Sequence, residues 1–120
     1  MKPTHIDTWL DFHEIDPFLA LAEELDVSAV ARGPGGFLEV YRDNQGDPNV
    51  LETVYYSDTL NWADRRDNFV KRHMAQAKKN KEEFWKDGRP TRRHLALIMW
   101  AYTPELKRLK KWIKKNQPSG

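Results

Sequence analysis

Four basic side chains flank the start of the most apolar segment of this chain. Lys86 and Arg89 stand in Lys86-Asp87-Gly88-Arg89-Pro90, and Arg92 and Arg93 follow the capping residue Thr91. The first turn of a helix already presents unpaired N–H groups and the positive end of its dipole, so two guanidinium groups there are locally unfavourable unless an anion joins them. Backbone donors and guanidinium forks would together hold a phosphate or a carboxylate. The competing reading is that Arg92 and Arg93 extend into solvent or pair with acidic residues of the N-terminal half.

A second basic set lies near the C-terminus. Lys107, Lys111, Lys114 and Lys115 fall opposite Leu106, Leu109, Trp112 and Ile113 on a helix expected over 104–116. That arrangement suits a helix that docks on its own core and turns cations toward phosphates. It also suits an ordinary solvated face, because Lys114 and Lys115 complement the negative end of the helix dipole without any ligand. Arg65, Lys71 and Arg72, on a preceding helix, would extend the basic track. Phe84 and Trp85 beside Lys86, and Trp112 between Lys111 and Lys114, interleave aromatic rings with these cations. An exposed Trp85 would stack on bases of a single strand, whereas packing in the core is the commoner use of such rings.

Other candidate chemistry is weaker. His5, Asp7, Asp11, His13, Glu14 and Asp16 gather imidazoles and carboxylates near the N-terminus, but at no recognised ligand spacing, and read as an acidic solvated segment with no metal assigned. His73 and His94 sit on apolar faces and read as hydrogen-bonded core residues rather than a catalytic pair. Cysteine is absent, which excludes disulfides, thiolate metal sites and Cys nucleophiles. No G-x-S-x-G, Walker A or dinucleotide-binding glycine pattern occurs, and the glycines at 33–36 lack the Lys and Ser/Thr of a phosphate loop. A non-enzymatic protein without a cofactor is therefore expected.

Charge is strongly divided along the chain. Residues 1–60 hold three Lys/Arg against twelve Asp/Glu, a net −9, and residues 61–120 hold seventeen against six, a net +11, behind an overall +2. Such polarity bears on partners rather than fold. At 120 residues, with five Trp, five Phe and four Tyr, the chain suffices for one domain that buries roughly two thirds of its unfolded surface. The longest uncharged apolar run, residues 95–102, falls far short of the roughly 18 residues of a membrane span, and the N-terminus lacks a secretory pattern, so a cytoplasmic location and no membrane partner are expected.

These residues need elements to position them. Asp16-Pro17 suits a helix start, with Phe18, Leu21, Ala22 and Leu25 at helical spacing over 17–25. Arg32-Gly33-Pro34-Gly35-Gly36 breaks the chain. Within 37–56 the apolar spacing favours helix, with a short hairpin across Asp43-Asn44-Gln45-Gly46-Asp47-Pro48 as the alternative. A helix over 59–82, capped by Ser57 or Asp58, carries Trp62, Phe69, Val70, His73, Met74 and Ala77 on one face. Arg66 falls inside that stripe and requires a carboxylate from the acidic half or an open face. Residues 94–102 are apolar on every side, which predicts a central buried helix. Thr103-Pro104-Glu105 then restarts the chain, and 117–120 is expected to fray. The segment 21–30 does not make a helix-turn-helix, since its second helix would run into the glycines and carries almost no basic side chains.

The expectation is a mainly α, single-domain helical bundle around residues 94–102. Its basic half contacts a polyanion, nucleic acid first, with low sequence specificity through Lys86, Arg89, Arg92, Arg93, Lys107, Lys111, Lys114, Lys115, Arg65, Lys71 and Arg72. The rival is an adaptor that binds a basic protein or associates with another copy of itself through its oppositely charged halves.

Overall fold

Asp11 and Glu14 close a capping box, each carboxylate accepting the other's backbone N–H at 3.0 Å. In the computed structural model, which describes residues 8–116, α1 (Phe12–Ile15) accordingly starts ahead of the expected position 17. Pro17 has no N–H to return to the preceding turn, and the chain tightens there into a 3₁₀ turn, Asp16–Phe18, before α2 (Leu19–Glu24). The expected helix is thus the later part of a longer helical segment.

The glycine-rich break separates α3 (Ala29–Arg32) from α4 (Phe37–Asp43). Gly36 is there for space: a Cβ added to it would lie 2.0 Å from the Val30 carbonyl oxygen and 2.7 Å from that of Ala31. Asp47 then caps α5 (Pro48–Leu51) by accepting the Asn49 N–H at 2.9 Å. Phe37, Leu38, Tyr41 and Leu51 are all buried, so helical spacing prevails over 37–51, and 43–48 links two helices rather than two strands. A small hairpin forms just downstream, where β1 (Tyr55–Ser57) pairs antiparallel with β2 (Leu60–Asn61).

That hairpin takes up the residues expected to cap the next helix. Asn61 caps α6 (Trp62–Lys79) instead, accepting the Asp64 N–H at 2.8 Å. After α6 the segment expected to be a loop forms a second hairpin, β3 (Trp85–Lys86) with β4 (Arg89–Pro90). Its turn residues, Asp87 at φ 54° and Gly88 at φ 75°, both adopt the left-handed conformation of a type I′ turn.

Thr91 caps α7 (Arg92–Ile98), and every residue from His94 to Ala101 is buried, as a segment apolar all round requires. Regular helix ends at Ile98 rather than 102, because Ala101 turns to φ 60° and redirects the chain toward α8 (Leu106–Asn116). Phe37 lies at the centre of the core, 5.0 Å from Trp100, 5.4 Å from Tyr41, 6.3 Å from Trp9 and 6.4 Å from Trp62 between ring centres. The result is one compact, mainly α domain with two small antiparallel hairpins.

Arg66 is fully buried on the core side of α6. Among the described residues, the carboxylate it meets is that of its own neighbour Asp67, at 2.9 Å. The fork also donates to the carbonyls of Trp100 at 2.9 Å, Ala101 at 2.8 Å and Thr8. Burial pulls its pKa below the ordinary arginine value, while the hydrogen bond and charge of Asp67 oppose that shift. Expected readings that involve His5, Asp7 or residues 117–120 lie outside the described residues.

Candidate polyanion-binding surface

The spacing of α6 places Arg65, Phe69, Arg72 and His73 along one side of that helix. With α3 and α7 they border an open cleft of about 670 Å³. Phe69 is stacked between Trp100, 4.5 Å away at 18°, and His73, 4.0 Å away at 26°, which gives the cleft an aromatic wall. Ala29 and Val30 of α3 form part of the opposite, apolar side, and Val30 is 73% exposed.

Arg92 and Arg93 both border this cleft, but in different states. Arg93 donates through Nε and Nη2 to the two oxygens of Glu82 at 3.0 and 2.8 Å, and through Nη1 to His73 Nδ1 at 2.7 Å and Gln76 Oε1 at 3.1 Å. Its charge is thus met by a carboxylate of its own basic half. Hydrogen bonding to Glu82 raises the Arg93 pKa, and the same contact lowers that of Glu82. A guanidinium only donates, so His73 Nδ1 accepts, and the neutral ring carries its proton on Nε2. Burial, then the charges of Arg93 and Arg72, push the His73 pKa down. Arg92 donates one N–H to the Leu25 carbonyl, reaching the N-terminal half through backbone rather than carboxylate. Arg65 lies with its guanidinium 3.5 Å from the Tyr56 ring centre and 4.9 Å from that of Trp62.

The other predicted cations form a second group. Lys86 and Arg89 are cross-strand partners in the β3–β4 hairpin, and both are exposed. This hairpin is fastened to α8: Trp112 Nε1 donates to the Gly88 carbonyl at 2.7 Å, and the Arg108 guanidinium lies 5.0 Å from the Trp85 ring centre. Leu109 and Ile113 bury the inner side of α8, and Trp112 stacks on Phe18 with centroids 4.8 Å apart. Lys107, Lys111 and Lys114 project from the opposite side, with Lys115 beside them, all exposed. Among the described residues, Lys71, Arg72, Lys86, Arg89, Lys107, Lys111, Lys114 and Lys115 make no ion pair.

Three carboxylates of the acidic half are engaged in ion pairs away from these cations. Asp16 pairs with Arg42 at 2.5 Å and Asp26 with Arg32 at 3.5 Å, both within the acidic half, while Glu14 reaches across to Lys110 at 3.8 Å. Trp85 is only 7% exposed and packs edge-on against His94, so it offers no stacking surface. His94 is wholly buried: Nδ1–H donates to the Phe84 carbonyl at 2.9 Å, and Nε2 accepts from the Thr103 hydroxyl at 2.7 Å. Burial lowers its pKa to about 4. It is a core residue, as its apolar surroundings in the sequence predict.

Sequence reasoning missed the cleft itself and the exposed pair Tyr55 and Tyr56 at its Arg65 end. Neither leaves a local signal, since the cleft arises from the docking of three helices distant in sequence. No family model matches this chain, and no curated protein shows significant similarity to it. Among the described residues, no helix is long and apolar enough to cross a membrane.

Proposed function

We propose that this protein is a non-enzymatic binding domain whose basic half contacts a polyanion, with nucleic acid as the leading ligand. One observation carries the reading. Leu109 and Ile113 of α8 are consumed by the protein's own core, though Leu106 of the same seam is exposed, while Lys107, Lys111 and Lys114 face outward without a carboxylate partner among the described residues. From Lys107 to Lys114 the helix rises about 10 Å, a span over which several phosphates of one strand are in reach. Lys86 and Arg89 on the adjoining hairpin add to the same positive field.

Lysine–phosphate contacts carry no base information, so binding is expected to be salt-sensitive and weakly sequence-specific. Fluorescence anisotropy with random duplex and single-stranded DNA over a salt series tests this. The logarithm of affinity should fall linearly with the logarithm of salt, by about 0.9 per phosphate neutralised on duplex. Absence of binding to either at about 50 mM salt, where such contacts are strongest, would defeat the proposal.

A second reading follows from the exposed carboxylates of Glu23, Glu24 and Asp43, which leave acidic surface available to a basic partner. In that case the two halves of different copies associate head to tail. Sedimentation would then report an oligomer that dissociates as salt is raised. Catalysis is not part of either reading: His94 is sealed in the core, and the Nδ1 of His73 is already occupied by Arg93.

A further inference from the structure

We infer that the cleft between α3, α6 and α7, together with the Tyr55–Tyr56 hairpin, accepts a single strand of nucleic acid, with phosphates on Arg72 and Arg92 and bases against the tyrosines. This rests on the polyanion reading above and names the form of nucleic acid and a site apart from α8.

The first argument is the distribution of donors. Arg93 has spent its fork on Glu82, His73 and Gln76, which makes it a strut of the cleft. Arg92 uses one of its five N–H groups on Leu25, and Arg72 makes no hydrogen bond or ion pair among the described residues. The remaining donors can therefore take phosphate oxygens. Glu82 and Asp26 also border the cleft, but each is held by an arginine, Arg93 and Arg32 respectively. Net positive potential remains there.

The second argument is the continuity from cations to rings. Arg65 borders the cleft and simultaneously covers Tyr56 at 3.5 Å, so the positive wall runs directly into the β1–β2 hairpin. Tyr55 and Tyr56 are 59% and 53% exposed, a high value for two neighbouring large aromatics. Both rings are thus open to solvent on the hairpin, and Tyr56 is the one in contact with the cleft's Arg65. Bases stack on exposed rings whatever their identity, which retains the low sequence specificity.

The third argument is size. A cleft of about 670 Å³ matches pockets that enclose one small ligand, such as a nucleotide unit. It cannot admit a duplex, whose bases are stacked inward and unavailable to tyrosine. Phe69 and the exposed Val30 supply apolar wall for an unstacked base, and the arginines supply the phosphate partners.

The test measures anisotropy of a labelled oligothymidylate of about 15 nucleotides, within the length that single-strand binding surfaces cover, and of a duplex of equal length. Wild-type protein should prefer the single strand. Y55A/Y56A should weaken single-strand binding by about fivefold or more per ring and leave duplex binding unchanged. R72Q/R92Q should flatten the single-strand salt slope by about 0.7 for each phosphate no longer neutralised. Because Tyr56 touches Trp62, Y55A alone serves as the variant that leaves the packing intact. The inference is overturned if Y55A and Y55A/Y56A bind the single strand as tightly as wild type, or lose duplex binding equally. In either case loss of binding on removal of the α8 lysines would still uphold the broader reading, whereas absence of binding by the wild type would sink both.

Discussion

The Nη2 of Arg66 lies 2.8 Å from the carbonyl oxygen of Ala101, and that oxygen also accepts the Leu10 N–H at 2.9 Å. One charged side chain thereby joins α6, the end of α7 and the N-terminal segment. The left-handed conformation of Ala101 aims its carbonyl at both donors, so the redirection of the chain after α7 and the burial of Arg66 are one device.

Truncating Arg66 should be among the most damaging substitutions in the molecule. R66A takes the guanidinium from beside the buried Asp67 carboxylate and removes a donor from the carbonyls of Trp100, Ala101 and Thr8, a change that costs about 3–5 kcal/mol. R66K should not rescue it, since an ammonium cannot reproduce the fork that serves separate acceptors. Urea denaturation measures both; a loss below about 1 kcal/mol in R66A would contradict this account.

Acid should destabilise the fold through His94. Its pKa is lowered from 6.5 to about 4 in the folded state, so below pH 6.5 the unfolded chain binds the proton more readily. The stabilisation is complete above about pH 6.5 and lost as pH falls through about 4, amounting to about 3 kcal/mol. His73 shifts in the same direction and adds to the trend. Comparing urea midpoints between pH 7 and pH 4 for wild type and H94Q should show a smaller drop in the variant.

Gly36 should resist substitution although its φ of −84° is ordinary. In G36A the new methyl meets the Val30 and Ala31 carbonyls at 2.0 and 2.7 Å, and backbone cannot swing aside as a side chain does. A loss of about 1–3 kcal/mol, typical of overpacking, is expected as a lowered melting temperature. G35A is the contrasting control: space is free there, and the penalty is confined to its positive φ of 72°.

Replacing Lys107, Lys111 and Lys114 together by Gln should leave the melting temperature within a degree or two, as surface substitutions do. Affinity for duplex DNA should fall, and the salt slope should shrink by about 0.9 for each lysine that had neutralised a phosphate. An unchanged slope would show that the field of α8 is not what the duplex meets.

Much of the helical architecture was legible because burial leaves a period. Leu109 and Ile113 on α8, Trp62 and Val70 on α6, and the unbroken apolar run of α7 all declare their inner faces. Two local signals were present and outweighed: Asp11-Phe12-His13-Glu14 is a capping box, and Asp87-Gly88 has the residues of a type I′ turn. The exposed lysines of α8 were also legible, since charge opposite an apolar seam has nowhere to go but outward. What could not be read is where cations end up once helices dock. Arg92 and Arg93 are adjacent in sequence, yet one retains most of its donors and the other commits four of its five to Glu82, Gln76 and His73, a difference set by the approach of α6. The contact between Arg65 and Tyr56 likewise depends on a hairpin folding back over the first turns of α6.

The reach of the Arg66 fork has a kinetic side. Its bonds connect positions 34, 35 and 58 apart, so they can form only after most of the chain has been brought together, when loop-closure entropy has already been spent. Interactions acquired that late act on the escape rate from the native basin more than on the rate of reaching it. The lifetime of the folded molecule, and with it the resistance to proteolysis under conditions where cleavage outpaces reclosing, is therefore expected to depend heavily on this single guanidinium.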